Sequence, residues 1–314
     1  MNACSRLPFL CFQVPYMSAS NEHNSFPAVA VLLIIATGTV LAGMDAFAKF
    51  LALQVPIIMV LWGRYFFHTV ITFGAYSVKT QSFQFLRSRR PGLQLIRASA
   101  LFGATFFMYQ AITRMPLGDA AAIQFLAPVL VTALSGLLLG EHVGPRRWMA
   151  VACGFIGVLL VARPGSGVLG LNALLPLATA VLLAVYMIMT RLIRNQDDPA
   201  ATTFYTTALG ALILSGLVIF NWQTLTNVQW VLMIAMGAAG ACGHFMYVKA
   251  FHMAEASMLA PFTYAQVVAA SVWGLLIFGD VPSLWTISGA GVVISSGLYV
   301  WYREVRVMKA KKLS

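Results

Sequence analysis

Ten apolar runs follow one another almost without a break from residue 28 to residue 302. They fall at about 28–50, 57–77, 92–112, 117–139, 147–163, 169–190, 202–220, 229–250, 256–278 and 284–302, the fifth being short. A helix crosses the hydrocarbon layer with about 20 residues, so runs of this length read as membrane spans. Only 9% of the 314 residues are charged, and mean hydropathy is +0.82. A soluble domain carries about 25% charged residues, so this chain lacks the polar surface to stand in water. An all-α membrane protein of ten transmembrane helices is predicted, with the chain almost used up by its spans.

The runs repeat. Ile112–Glu141, ITRMPLGDAAAIQFLAPVLVTALSGLLLGE, returns as Phe251–Asp280, FHMAEASMLAPFTYAQVVAASVWGLLIFGD, at a shift of 139 residues without a gap. At that shift Ala121 meets Ala260, Val129 meets Val268, Gly140 meets Gly279 and Glu141 meets Asp280. Each half holds five spans, and an odd number inverts the second half relative to the first. Inverted repeats of this kind are typical of secondary transporters, whose solute sites lie near the midplane.

Charge sets the orientation. The net charge of +11 would suggest nucleic acid as partner of a soluble protein; here Lys and Arg gather on loops. With the N-terminus placed in the cytoplasm, 16 of the 20 Lys and Arg fall on that side, Arg97 among them, as the positive-inside rule requires. Both termini are expected inside. Residues 1–27 read as a cytoplasmic tail, 28–163 and 169–302 as the two halves, and 303–314 as a basic cytoplasmic tail. The early LPFLCFQVPYM stretch is short and holds two prolines, which makes a poor signal peptide; Met17 is expected to be the true start. Cys4, Cys11, Cys153 and Cys242 have no metal spacing, and the last two are expected in helix cores.

Ionisable residues within spans are costly and mark function by default. The first hairpin turns near Gln54 and Val55, which puts Asp45 and Arg64 at one depth. They either pin two helices together or form a gate or solute-charge contact. Lys49 is expected to snorkel to the interface. Asp119 and Glu255 open the fourth and ninth spans, and with Asp45 are candidates for gating or proton coupling. Gln124 and Pro128 lie in the fourth span; Pro261, Thr263, Tyr264 and Gln266 lie in the ninth. Proline within a span frees backbone carbonyls, which is tolerated where helices face a cavity or one another. Tyr109, His244 and Trp62 are further candidates for solute contact, with core packing as the alternative. Glu141 and Asp280 are expected to be solvent-exposed helix-end acids. No phosphate-binding glycine loop, nucleophile elbow or HExxH motif occurs, so ATP-driven transport and hydrolysis find no support, and no metal or cofactor is expected.

At LAPFTYAQVVAASVWGLLIFGD and its counterpart IQFLAPVLVTALSGLLLGE, the chain resembles the drug/metabolite transporter superfamily in its EamA branch, from Phe26 onward. The resemblance implies two inverted five-helix repeats around a central cavity, working by alternating access without ATP. Leu259–Gln266 and the MDAFAKF…WGRYFF opening are similar to the subgroup of bacterial S-adenosylmethionine and riboflavin uptake carriers and of exporters of amino-acid-derived metabolites. In such proteins helices three, four, eight and nine line the pocket, which implies Tyr109, Gln124, Tyr264 and Gln266. The first repeat keeps the family's Pro-Val pair at Pro128-Val129, whereas the second has Gln266-Val267. The expected function is secondary transport of a small polar organic metabolite across a bacterial inner membrane, with membrane lipid as surroundings and a homodimer left open. A membrane-embedded enzyme and a non-transporting scaffold are the alternatives.

Overall fold

The computed structural model describes residues 28–80, 88–139, 145–163, 170–193, 199–253 and 256–313; the N-terminal tail, Met17, Glu141 and Glu255 lie outside these. The described residues are helical throughout, with no strand. In chain order the helices are α1 (Ala28–Ala52), α2 (Ile57–Thr80), α3 (Pro91–Ile112), α4 (Leu117–Gln124), α5 (Ala127–Leu139), α6 (Pro145–Ala162), α7 (Leu174–Ile193), α8 (Pro199–Val218), α9 (Asn227–Met253), α10 (Ala256–Thr263), α11 (Ala265–Phe278) and α12 (Leu284–Leu313). Eight helical stretches among them are long and apolar enough to cross a membrane, and two shorter ones, Leu117–Val131 and Trp148–Ala162, are apolar. The chain is a multi-pass membrane protein.

Prolines set the helix starts. Pro91, Pro145 and Pro199 are first residues of α3, α6 and α8, and Pro56 and Pro116 immediately precede α2 and α4. A first-turn proline loses nothing, because that N–H has no intrahelical acceptor. Inside the fourth and ninth spans the effect is different. α4 ends at Gln124 and α5 restarts at Ala127, just before Pro128; α10 holds Pro261, and Tyr264 separates it from α11. The two breaks fall at equivalent places in the repeat, since Phe125 and Tyr264 are 139 residues apart.

The helices pack in matched pairs. At the 139-residue shift α1 corresponds to α7, α2 to α8, α3 to α9, α4–α5 to α10–α11 and α6 to α12. α1 packs on α9 and α7 on α3; α1 on α11 and α7 on α5; α2 on α9 and α8 on α3. α2 packs on α8, and α6 on α12, each helix on its own counterpart. Exchanging the halves returns each of these pairings, so a pseudo-twofold axis relates them. Phe125 and Tyr264 meet on it, with ring centroids 5.5 Å apart.

Small residues let backbones approach, as is usual where lipid is as apolar as the core. A Cβ on Gly157 would sit 2.8 Å from the Gly289 carbonyl, and one on Gly289 2.6 Å from the Gly157 carbonyl. Gly38 of α1 lies against the backbone of Gln266 in the same way. Large apolar side chains such as Leu32, Leu212, Phe245 and Leu276 cover the outside. Cys153 and Cys242 join that outer surface rather than the helix cores: both are exposed free thiols.

Candidate functional site

Four helices meet around a buried charged pair. Asp45 lies seven residues before the end of α1 and Arg64 seven residues after the start of α2, and Arg64 Nη1 stands 3.8 Å from Asp45 Oδ1. That distance is longer than a tight charge-assisted hydrogen bond. The guanidinium also lies 5.2 Å from the ring centre of Tyr109 on α3 and 6.0 Å from that of Tyr65. Tyr109 is wholly buried, and its hydroxyl reaches Met236 Sδ of α9 at 3.6 Å. Tyr65 donates to Thr105 Oγ1 at 3.0 Å. One turn from Arg64, His68 faces His244 of α9 with ring centroids 5.3 Å apart. Asp45, Arg64, Tyr109 and His244 thus form one polar cluster inside an apolar bundle. Two opposite charges held this loosely can part and bind a solute's own charges, while the aromatic face favours a flat or cationic group. Among the described residues, no three His, Cys, Asp or Glu side chains gather as a metal site would need.

Trp62 lies apart from this cluster. Its indole N–H donates to Ser215 at 3.1 Å, and its ring packs among Phe66, Phe67, Trp222 and Trp230. Gln124 closes α4 at the first break and Gln266 is the second residue of α11 after the second; both are half-buried. The Tyr264 hydroxyl is buried without a hydrogen-bond partner. It fills the space beside Gly297 where any larger residue's side chain would stand.

The end of the bundle nearest the α1–α2 turn is tied by charge. Lys49 does not snorkel: it is buried, its Nζ lying 2.7 Å from Asp280 Oδ2 and donating to the Met115 carbonyl at 3.3 Å, with the Phe278 ring centre 4.5 Å away. Asp280 is correspondingly a paired acid rather than a free helix-end one. Gly279, at φ 70, turns the chain out of α11 and presents Asp280 to Lys49, a conformation glycine adopts at no steric cost. Asp119, in the first turn of α4, is buried beside Thr286 of α12 and within electrostatic reach of Arg163. Arg163 in turn donates to Ser283. These contacts join α1, α4, α6, α11 and α12.

Arg97 departs furthest from expectation. Counted from sequence with the cytoplasmic loops, it is 1% exposed. Its Nε donates to Gln94 at 3.2 Å and its Nη1 to Tyr186 and Thr190 at 3.4 Å each. Its Nη2 donates to Thr206 Oγ1 at 2.5 Å and to the Thr202 carbonyl. Gln94, one turn earlier on the same face, was the available sequence signal.

A helical bundle of two matched halves, broken twice on its axis and carrying a charged pair in its interior, is the construction of a membrane transporter. The chain belongs to the EamA-like transporter family, which matches residues 28–163 and 170–302. Among similar proteins is the S-adenosylmethionine uptake transporter of Rickettsia prowazekii, 25% identical over 270 residues, covering 85% of this chain and 90% of the relative. The riboflavin transporter of Vibrio cholerae is 30% identical over 234 residues, covering 73% and 78%. The pseudopaline exporter of Pseudomonas aeruginosa is 24% identical over 209 residues, covering 65% and 74%. These relatives are transporters and not enzymes, and the same is concluded of this chain. A solved crystal structure covering 85% of this chain and 95% of its own superposes at a TM-score of 0.59 with 19% identity, which shows the shared fold alone.

Proposed function

We propose that this protein is a secondary transporter that moves a small zwitterionic or aromatic metabolite, of the S-adenosylmethionine-like or riboflavin-like kind, across a bacterial inner membrane. The observation that carries the reading is the loose Asp45–Arg64 pair beside Tyr109, where α1, α2, α3 and α9 meet. A solute's ammonium and carboxylate can replace Arg64 at Asp45 and Asp45 at Arg64, so that neither buried charge is left alone. An unpaired buried charge would cost several kcal/mol. Tyr109 supplies the ring against a flat or cationic portion, His244 a hydrogen-bonding edge, and Gln124, Tyr264 and Gln266 polar groups at the two breaks.

In this reading α4–α5 and α10–α11 are each one broken span, which makes ten spans in two inverted five-helix halves with both termini cytoplasmic. The α1–α2 turn then lies outside, and the Lys49–Asp280 pair with Asp119 and Arg163 holds that side closed. Rocking of the two halves about the axis opens it. Names of relatives supply the solute candidates, and the interior charges support them.

The test is uptake of radiolabelled S-adenosylmethionine and of riboflavin into proteoliposomes, with chromatography to establish that the solute is unchanged. Arg64→Ala is expected to abolish transport with membrane insertion intact. Transport by Arg64→Ala at the wild-type rate refutes the assigned site, and failure of both solutes in the wild type refutes the solute class. If the pair acts only by mutual neutralisation, Asp45→Asn with Arg64→Gln regains the activity that either alone loses.

A further inference from the structure

Away from the solute site, a cleft of about 720 Å³ opens between α10 and α12. That volume is in the range of ligand-sized clefts. Pro261 and Phe262 line it from α10, and Ser295, Tyr299 and Tyr302 are exposed lining residues from α12. The equivalent place in the first half is filled. At the 139-residue shift Pro261 and Phe262 correspond to Ala122 and Ile123, which are 1% and 0% exposed. α4 packs on α3, α6, α7, α11 and α12, whereas α10 packs chiefly on α1 and α12.

α12 also outruns its counterpart. α6 ends at Ala162, equivalent to Trp301, while α12 continues to Leu313. The apolar stretch of α12 is Leu284–Arg303, so the cleft lies where hydrocarbon gives way to headgroups. Asp280, just ahead of α12, is tied to Lys49 near the α1–α2 turn, which puts the cleft toward the opposite face. Ser295, Tyr299, Tyr302 and Arg306 recur at three- and four-residue steps, a spacing that stacks them on one side of the helix. The Arg306 guanidinium stands 4.8 Å from the Tyr302 ring centre. This ladder is about 16 Å long at 1.5 Å per residue, against about 15 Å for one leaflet of a 30 Å hydrocarbon layer. Trp301, which also lines the cleft, and Tyr302 are residue types that settle at headgroup level. Ion pairs among the described residues are Lys49–Asp280 and Arg64–Asp45, so the Arg306 charge is left for a partner outside the chain. Residues 303–314 hold five basic residues and one acid, Glu304.

We propose that this cleft binds one anionic glycerophospholipid, with an acyl chain laid along Tyr299 and Pro261 and the phosphate on Arg306. A second copy of the chain fits less well. Two copies inserted in the same sense and packed cleft to cleft would set Arg306 and its basic tail against their duplicates. α12 also carries, beside Gly297, the Tyr264 ring of the second break, so the lipid supports that break from the membrane side. The proposal needs only the membrane span of α12 and not the transport reading.

The test is native mass spectrometry of the purified full-length protein in detergent, with dioleoylphosphatidylglycerol or dioleoylphosphatidylcholine added at equal concentration. One phosphatidylglycerol should be held at least about tenfold more tightly than phosphatidylcholine. Arg306→Gln should lower that preference by about fivefold, the contribution of one basic residue beside an anionic headgroup. Ser295→Trp fills the cleft from an exposed position and leaves every charge in place; it should remove the tightly held lipid. Leu276→Trp, at an exposed position on α11, should leave binding unchanged. Equal retention of the two lipids overturns the proposal. Wild-type retention by Ser295→Trp overturns it as well, since a basic tail then attracts anions without a seat for their chains. A wild-type dimer that Ser295→Trp dissociates gives the cleft to a second copy and also overturns it. None of these outcomes bears on solute transport, so the two readings fail separately.

Discussion

Breaking the Lys49–Asp280 pair should open one side of the transporter, and the size of the effect follows from its geometry. The two charges stand 2.7 Å apart, with side chains 10% and 24% exposed. At an effective dielectric of about 20, unit charges at that distance attract by about 6 kcal/mol before desolvation. Removing one member of a fully buried pair costs about 3–5 kcal/mol. Partial exposure of Asp280 lowers this to about 2–3 kcal/mol, because water takes up some of the stranded charge. If the pair exists only in the closed arrangement, Lys49→Met shifts the equilibrium toward opening by about 30- to 150-fold at 1.4 kcal/mol per decade. The reporter is Met115→Cys, which keeps the backbone carbonyl that Lys49 contacts and is buried in the closed state. With native cysteines replaced, its alkylation rate by a membrane-impermeant maleimide measures opening. Lys49→Met, Asp280→Asn and the double variant form a thermodynamic cycle, and a coupling of about 2 kcal/mol is expected between residues in direct contact. The charge-reversed double variant, Lys49→Asp with Asp280→Lys, should regain slow alkylation. A rate within twofold of wild type for Lys49→Met, or single-variant effects that simply add, refutes the closing role.

Three further outcomes are expected. Gly289→Ala should destabilise the protein by about 1–3 kcal/mol, because its Cβ would meet backbone that cannot move. Gly291→Ala, with open space around it, should stabilise it by about 0.5–1 kcal/mol; unfolding in a denaturing-detergent titration gives both signs, and like signs would refute the packing of α6 on α12. Tyr264→Phe removes a buried hydroxyl that has no partner, so stability should hold or rise by up to about 1 kcal/mol. Transport by that variant should fall if the hydroxyl meets the solute, and wild-type transport would remove Tyr264 from the site. Trp62→Phe keeps the aromatic cluster and loses one hydrogen bond to Ser215, so the transport KM should stay within about twofold; a larger rise would return Trp62 to the solute path.

The sequence carried the features that depend on near neighbours or on counting along a helix. The depth match of Asp45 and Arg64 follows from a hairpin of known turn and 1.5 Å per residue. Proline and the repeat register flagged the neighbourhood of both breaks, though the chain parts at Phe125–Leu126, just ahead of Pro128, and at Tyr264, after Pro261. Pairings across the fold could not be read. Lys49 and Asp280 are 231 residues apart, and each alone looks like an ordinary charge at a helix end. Arg97 misled for a related reason: the positive-inside rule counts charge near a membrane face and is blind to which side of the helix that charge occupies. Cys153 and Cys242 show the same blindness in reverse, since an apolar run long enough to span does not say which of its residues look outward.

Phe125 and Tyr264 occupy equivalent positions and touch each other across the axis. Elsewhere along the seam a residue of one half faces a different residue of the other half, and the two can vary together. On the axis the nearest neighbour of a residue is its own duplicate, so any change in one copy is at once a change in the surroundings of the other. A protein assembled from two identical halves would have to carry the same ring at both places, with two hydroxyls or none. Fusing the halves into one chain is what permits a single hydroxyl there, and with it a molecule whose two ends differ at the point where they meet.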